Sequence, residues 1–410
     1  MKGDLQSEFD KVIEDVPRQF LERTIESKLQ DAGIEPTPKR VERIADAIMA
    51  GEEHFEIEED TLHPGVTLAF SDEEIAELTG LIQEFYETQL PEVISKTAAE
   101  SADKIFKTLK RDWPAQKAWQ DGQFAQFKIN LELRWGNAFD LYRMILTSAR
   151  EAGEEYSNRL HRSRAKRNRN KRVALSRLHA RACRVAEEIL VLMKEGFADG
   201  AMARWRTLHE ITTVSILIAD FDDEMAERYL LHEIVEAMRA LEIYEETYSD
   251  LGFGPPSKRD AQRTRREFDA VRQRFGKEYC TPYGWAAKHL AIDGKRFSDL
   301  EKAARRSHMR SHYKMASQNV HAGTKGITDQ LGLIDGSQVL LAGPSNAGLE
   351  EPAQNTVISL VQVTVLLYGQ NWKIDDILLA NVFFKLRDKA IDAFILAGRK
   401  LKRDEDALRK

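Results

Sequence analysis

Residues 204–210 read Arg-Trp-Arg-Thr-Leu-His-Glu and continue directly into the apolar stretch Ile-Thr-Thr-Val-Ser-Ile-Leu-Ile-Ala at 211–219. Apolar side chains recur along both segments at the spacing of a helix, so the pattern predicts a helix that is buried along most of its length. Arg206 and Glu210 are four residues apart and therefore share one face of this helix, where they can pair. Burying charged groups costs several kcal/mol unless partners satisfy them, so we expect polar residues from another helix to join the pair.

Residues 313–321, Tyr-Lys-Met-Ala-Ser-Gln-Asn-Val-His, supply the expected partners. Tyr313, Ser317 and His321 recur every fourth residue, and that spacing places them along one side of a helix. We predict that His321 lies within hydrogen-bonding or ion-pairing reach of Arg206 and Glu210. The candidate site then consists of residues from two distant helices: Arg206, Glu210, Tyr313, Ser317, Asn319 and His321.

The composition of the 410-residue chain is typical of a helical globular protein. Hydrophobic residues make up 42% and charged residues 31%, and the 11 prolines stand mostly at the edges of apolar segments. We therefore predict an all-α fold, in which even the β-branched run at 357–365 forms a buried helix. The N-terminus does not resemble a signal peptide and no apolar run is long enough to cross a bilayer, so we expect a cytoplasmic protein without a membrane partner.

Charge divides the chain into parts. Residues 1–100 are rich in Asp and Glu, whereas residues 159–184 contain no acidic residue. We predict an acidic N-terminal helical region at 1–120, a long helical connection with a basic segment at 121–175, and a C-terminal helical domain at 176–410. The two cysteines, Cys183 and Cys280, have no His or Cys neighbours at metal-ligand spacing, so we expect neither a metal nor a cofactor.

The basic segment has three interpretations. Its charge density suits salt-dependent contact with the phosphates of RNA or another polyanion, although it has no interleaved aromatic residues to read bases. It can equally be a solvated helix or loop, or bind the acidic residues between Glu52 and Asp60. The candidate nucleic-acid contacts are Arg162, Arg164, Lys166, Arg167, Arg169, Lys171 and Arg172.

Five motifs occur in the order found in a bacterial family of domains of unknown function, family 5677, which the region of about 176–370 resembles. The motifs are Ala201 to Glu210, Ala226-Glu227-Arg228-Tyr229, Tyr283-Gly284-Trp285-Ala286, Tyr313 to His321 and Ala342-Gly343-Pro344-Ser345-Asn346. The resemblance implies an all-helical domain and no particular activity. The last motif resembles a phosphate-binding loop only superficially, because it has no preceding strand and no following lysine, and a plain turn is the simpler interpretation.

A looser resemblance links the Arg206/Glu210 helix and the later Asn319/His321 pair to the HEPN superfamily. Many members are metal-independent endoribonucleases of bacterial defence systems, and they usually act as dimers. Their catalytic motif has an arginine and a histidine with four to six residues between them. Here those positions hold Lys314, Met315 and Ala316, so the site is degenerate.

Two functional classes follow. The first is a HEPN-like, RNA-directed effector of bacterial stress or phage defence, a homodimer with a protein partner encoded nearby, in which His321 acts as a general base and Arg206 holds a phosphate. The second is a non-catalytic helical module that binds a protein or a nucleotide. In that class His321 is a core histidine that ties two helices together through Glu210 or Ser317.

Overall fold

The computed structural model describes residues 5–52, 68–321, 323–333, 340–369 and 373–408. Over these ranges the protein is helical and contains no β-strand, which confirms the predicted all-α class. In chain order the helices are α1 (Leu5–Asp31), α2 (Pro38–Met49), α3 (Asp72–Glu84), α4 (Leu90–Arg162), α5 (Arg169–Lys194), α6 (Ala198–Asp220), α7 (Asp223–Leu231), α8 (Glu233–Thr247), α9 (Lys258–Phe275), α10 (Gly284–Leu290), α11 (Phe297–Ala303), α12 (Arg310–Gln318), α13 (Thr324–Thr328), α14 (Glu350–Val365) and α15 (Ile374–Leu408). Short 3₁₀ and π turns join several of them.

The chain forms two compact units, Met1–Gln120 and Asp121–Lys410. The first has a small apolar core formed by Leu21, Ile25, Leu29, Ile34, Val41, Ile44 and Ala45. Helix α3 begins with a capping box, in which Ser71 Oγ accepts from the main-chain N–H of Glu74 (3.3 Å) and the Glu74 carboxylate accepts from the N–H of Ser71 (2.8 Å). These bonds satisfy donors that the first helical turn leaves without an internal partner.

Helix α6 lies at the centre of the second unit, where it packs against α5, α12 and α14. It is buried on almost every side, and its three buried hydroxyl side chains bond back along the helix. Thr212, Thr213 and Ser215 each donate to the carbonyl oxygen four residues earlier, at 2.7, 2.9 and 2.7 Å. A hydroxyl satisfied in this way can be buried without a partner from another helix.

Two family-like motifs meet at the start of α10. The buried guanidinium of Arg228 donates to the main-chain oxygens of Trp285 and Gly284, both at 3.0 Å. It also lies over the rings of Phe275 and Tyr279, at 4.8 and 5.0 Å from their centroids. A Cβ at position 284 would lie 2.2 Å from the carbonyl oxygen of Tyr279, so the close approach of the two chain segments requires glycine there.

Candidate functional site

Three of the six predicted site residues form one cluster, Arg206, Glu210 and Tyr313. The Tyr313 hydroxyl donates to Glu210 Oε1 at 2.7 Å. The Arg206 guanidinium lies over the Tyr313 ring, 4.9 Å from its centroid, and Arg206 Nε makes an ion-pair contact of 3.4 Å with Glu210 Oε1 that lacks hydrogen-bond geometry. Burial and the neighbouring carboxylate of Glu210 raise the pKa of Tyr313, so this phenol stays protonated at neutral pH.

The other three predicted residues do not join this cluster. Helix α12 ends at Gln318, so His321 lies beyond the helix on which the four-residue spacing placed it. Its side chain is exposed and has no ion pair or hydrogen bond with any described residue. The prediction that His321 lies within hydrogen-bonding or ion-pairing reach of Arg206 and Glu210 is therefore wrong, and so is the interpretation of His321 as a core histidine. Ser317 donates to the carbonyl oxygen of Tyr313 (2.8 Å), and the Asn319 amide donates to the carbonyl oxygen of Asp199 (3.4 Å).

The buried histidine next to the cluster is His209, which has no exposed surface. Its Nε2 lies 2.9 Å from Glu301 Oε1, and Arg306 Nη2 lies 3.2 Å from its Nδ1. Glu301 also accepts from Arg310, and Arg306 also donates to Gln362. We call these five residues the His209 network. The His209 ring lies 5.4 Å from the Tyr313 ring, so the network and the cluster are adjacent.

The hydrogen bonds assign the proton on His209. A guanidinium can only donate, so Nδ1 of His209 is the acceptor for Arg306, and Nε2 carries the hydrogen that is donated to Glu301. Burial lowers the pKa of His209 to about 4, so the ring is neutral at pH 7. Burial also lowers the pKa of Arg306 to about 10, which still leaves the guanidinium charged. The network therefore holds one carboxylate against two guanidiniums and has an excess positive charge.

This arrangement suits structural support better than proton transfer. A general base must reach the proton that it removes, and His209 has no exposed surface from which to reach a substrate. Its two ring nitrogens are both occupied by protein groups. The network holds α6, α11, α12 and α14 together, and it positions Tyr313 beside the half-exposed Arg206 and Glu210.

Part of this network had a local signal in the sequence. Phe297, Leu300, Glu301 and Ala304 recur at helical spacing, which places a carboxylate on an otherwise apolar face. Arg306 had no such signal, because it follows Arg305, whose φ of 55° ends the helical periodicity. Its place in the core is set by tertiary packing.

The basic segment folds into the end of α4, a turn at 163–168, and the start of α5. Five of the seven predicted contacts are exposed and have no ion pair or side-chain hydrogen bond with any described residue: Arg162, Arg164, Lys166, Arg167 and Arg169. We call this set the basic turn. Asn168, the residue before α5, has a φ of 53°, a left-handed conformation that asparagine adopts more readily than most residues.

The remaining two predicted contacts help to build the turn. Arg172 donates to Ser163 Oγ (3.2 Å) and to the carbonyl oxygens of Ala165 (2.6 Å) and Arg167 (3.1 Å). The main-chain N–H of Lys171 donates to an oxygen of Asp223 at 2.9 Å. Apart from Glu52, the acidic residues proposed as an alternative partner of the segment lie outside the described residues.

Within the part of the chain that the structure describes, one group of three residues could hold a metal ion, although the sequence did not predict it. Asp222, Glu224 and His289 each bring a ligand atom to within 4.8 Å of the others. All three already have protein partners: Asp222 Oδ1 accepts from the N–H of Met225 (3.0 Å) and contacts His289 Nε2 (3.1 Å), and Glu224 pairs with Lys288 (2.6 Å). A cation bound to the Glu224 carboxylate would compete with the ammonium group of Lys288, which donates to both of its oxygens.

The loop at 342–346 is hydrogen-bonded to three other parts of the chain. The N–H of Ser345 donates to the carbonyl oxygen of Gly196 (2.9 Å), and its hydroxyl donates to that of Gly332 (2.6 Å). The indole N–H of Trp135 donates to Asn346 Oδ1 at 2.8 Å. These contacts fit the interpretation of the loop as a turn.

Comparison with known proteins gives one match. Residues 172–338, less than half of the chain, match a family of unknown function (DUF5677). Four of the five motifs quoted above lie inside these residues, and the loop at 342–346 lies outside them. No curated protein and no solved structure matches the chain. Among the described residues, no helix is both long and apolar enough to cross a membrane.

Proposed function

We propose that this chain is an RNA-directed, HEPN-like helical protein with a degenerate Arg/His site, acting as a component of a bacterial stress or phage-defence system. The observation that carries the proposal is the basic turn. It presents five exposed cations that no described acidic residue neutralises.

The basic turn suits phosphate contacts for a physical reason. Cationic side chains that bind a polyanion release condensed counterions, so binding is strong at low salt and requires no particular base sequence. A cation already paired with a carboxylate would lose that pair on binding. The five residues of the basic turn have no pair to lose, and Arg172 already holds the turn in place through its hydrogen bonds to the carbonyl oxygens of Ala165 and Arg167.

The degenerate site argues against RNA cleavage by this chain alone. The positions that would hold the catalytic arginine are Lys314, Met315 and Ala316. The exposed side chain of His321 contacts neither Arg206 nor Glu210, and the neighbouring His209 is enclosed and neutral. The protein would then bind RNA and leave catalysis to a partner.

A non-catalytic module for a protein or nucleotide partner is the second candidate. It is favoured by the cluster of Arg206, Glu210 and Tyr313, in which the half-exposed Glu210 already accepts a hydrogen bond from Tyr313 and lies in ion-pair contact with Arg206. Such a module does not need the basic turn, so one experiment separates the two candidates.

We test the proposal with binding of a poly(U) oligonucleotide across a salt series. Arg164, Lys166, Arg167 and Arg169 are replaced together by Ala, and Arg172 is kept because it builds the turn. The control replaces four exposed cations of α9 by Ala, namely Lys258, Arg259, Arg266 and Arg272, and so removes the same charge. We expect weaker binding and a shallower salt slope only in the basic-turn variant, with a change in slope of about 0.7 for each phosphate that is no longer bound.

The proposal is wrong if the two variants bind with equal affinity and slope. The same wild-type preparation, incubated with RNA in EDTA, should leave the RNA intact. Metal-free cleavage that disappears in His321→Ala would show that the site is catalytic after all.

A further inference from the structure

Helix α4 contains a long segment that is exposed to solvent on all of its faces. From Pro91 to Trp119 every residue is exposed, although the segment carries large apolar side chains. Ile105 is 51% exposed, Phe106 56%, Leu109 64% and Trp113 53%. Single exposed apolar residues are common on protein surfaces, but a contiguous group of them marks an interaction surface.

These side chains form a stripe along one face. Its members are spaced by the three- and four-residue steps that return to the same side of a helix: Ile94, Ala98, Ala102, Ile105, Phe106, Leu109 and Trp113. We call them the apolar stripe. Helices in water gain most of their stability by packing an apolar face, so a segment exposed on all sides requires a partner for this stripe.

The order of residues in the stripe points to the partner. Six of the seven residues of the stripe are symmetric about the midpoint between Ile105 and Phe106: Ala102 and Leu109 lie equally far from it, as do Ala98 and Trp113. Ile94 has no counterpart, because the mirrored position is Lys117. When two copies pair in antiparallel orientation about this midpoint, each alanine of one copy faces a large side chain of the other. Small residues opposite large ones allow the two helices to pack closely.

Charges beside the stripe select the same orientation. Glu92, Asp103, Lys110 and Lys117 recur at eleven- and seven-residue intervals, so they lie on one flank of the helix. The two acids precede the midpoint and the two lysines follow it. Antiparallel pairing of two copies puts this flank of one helix beside the same flank of the other and brings acid towards lysine. A parallel pair would place the two flanks on opposite sides of the interface, where these charges could not pair with one another.

We propose that the apolar stripe of α4 binds the same stripe of a second copy of this chain, as an antiparallel two-helix coiled coil. The stripe lies in the first compact unit, and the inference is independent of the proposed RNA binding.

The first test is the mass of the full chain by sedimentation over a concentration series. We expect a dimer for the wild type. Leu109→Glu places a carboxylate at two symmetric positions of the interface, and we expect the dissociation constant to rise roughly a hundredfold. Lys107→Glu is the matched control, because it puts the same residue on the opposite side of the same helix. Circular dichroism verifies that each variant keeps its helix content.

The second test is the orientation. Asp103→Lys alone and Lys110→Asp alone should each weaken the dimer, since each brings like charges together, and the double variant should restore it. The proposal is overturned by a wild type that stays monomeric, or by a dimer that Leu109→Glu leaves intact. Failure of the double variant to restore pairing overturns the antiparallel arrangement.

Discussion

At the residue scale, the buried position that the sequence suggested for His321 is occupied by a different histidine, His209. His321 completes a regular four-residue series and attracts attention, but it lies past the end of α12 and is exposed. His209 stands inside the apolar stretch of α6 and is fully enclosed by Glu301 and Arg306. The spacing of residues identified the right pair of helices and the wrong histidine.

Because one histidine is buried and the other exposed, replacing each by Ala should change the free energy of unfolding by very different amounts. His209→Ala removes a partner from a buried charged network, so we expect a loss of about 3–5 kcal/mol in the free energy of unfolding. His321→Ala removes an exposed side chain, and we expect a change within about 0.5 kcal/mol. Urea denaturation of both variants measures the difference. Equal losses in the two variants would contradict the burial assigned to each histidine.

At the scale of an element, the start of α10 depends on one glycine. Helix α10 begins where the chain passes so close to Tyr279 that a Cβ at 284 would overlap a main-chain oxygen at 2.2 Å. The carbonyl oxygens of Gly284 and Trp285 are also the acceptors for the buried Arg228. A shift of this turn would therefore disturb a charged group that α7 places in the core.

Gly284→Ala should lower the free energy of unfolding by about 1–3 kcal/mol, because a main-chain atom cannot move aside as a flexible side chain can. Gly122→Ala in α4 is the matched control. A Cβ there meets nothing within 4 Å, and alanine favours a helix over glycine by about 0.5–1 kcal/mol. The midpoint temperature of thermal unfolding, followed by circular dichroism, should fall for Gly284→Ala and rise for Gly122→Ala. A Gly284→Ala variant as stable as the wild type would contradict the close packing at α10.

At the scale of the whole molecule, buried histidines make stability depend on pH. Burial lowers the pKa of both His179 and His209 to about 4, whereas the ordinary value is 6.5. Below pH 6.5 the unfolded chain takes up protons at these residues that the folded chain does not, so acid favours unfolding. The sign is therefore a loss of stability as the pH falls from 6.5 towards 4.

We expect the free energy of unfolding to fall by several kcal/mol between pH 7 and pH 5, a range in which most carboxylates remain ionised. Denaturant titrations at intermediate pH values measure it. His179→Gln is the comparison variant, and the dependence on pH should become weaker in it because one of the two titrating rings is gone. A stability that is constant over this range would refute the assignment of neutral buried histidines.

The sequence by itself determined the features that depend on local periodicity. It predicted the all-α class, the helix at the β-branched run of 357–365 and the pairing of Arg206 with Glu210. Each follows from residues within a few positions of one another, where helix geometry fixes which side chains share a face.

Only the tertiary structure decided which polar groups are enclosed. Helical spacing states which residues lie on one side of a helix, but it does not state what packs against that side or where the helix ends. His209, Glu301 and Arg306 become partners because α6, α11 and the turn before α12 meet in the core. His209 is about a hundred residues away from the other two in the sequence, so local spacing does not predict this contact. Enclosure of a charged group is favourable only when partners from several elements satisfy it together, so it is a property of the assembled fold.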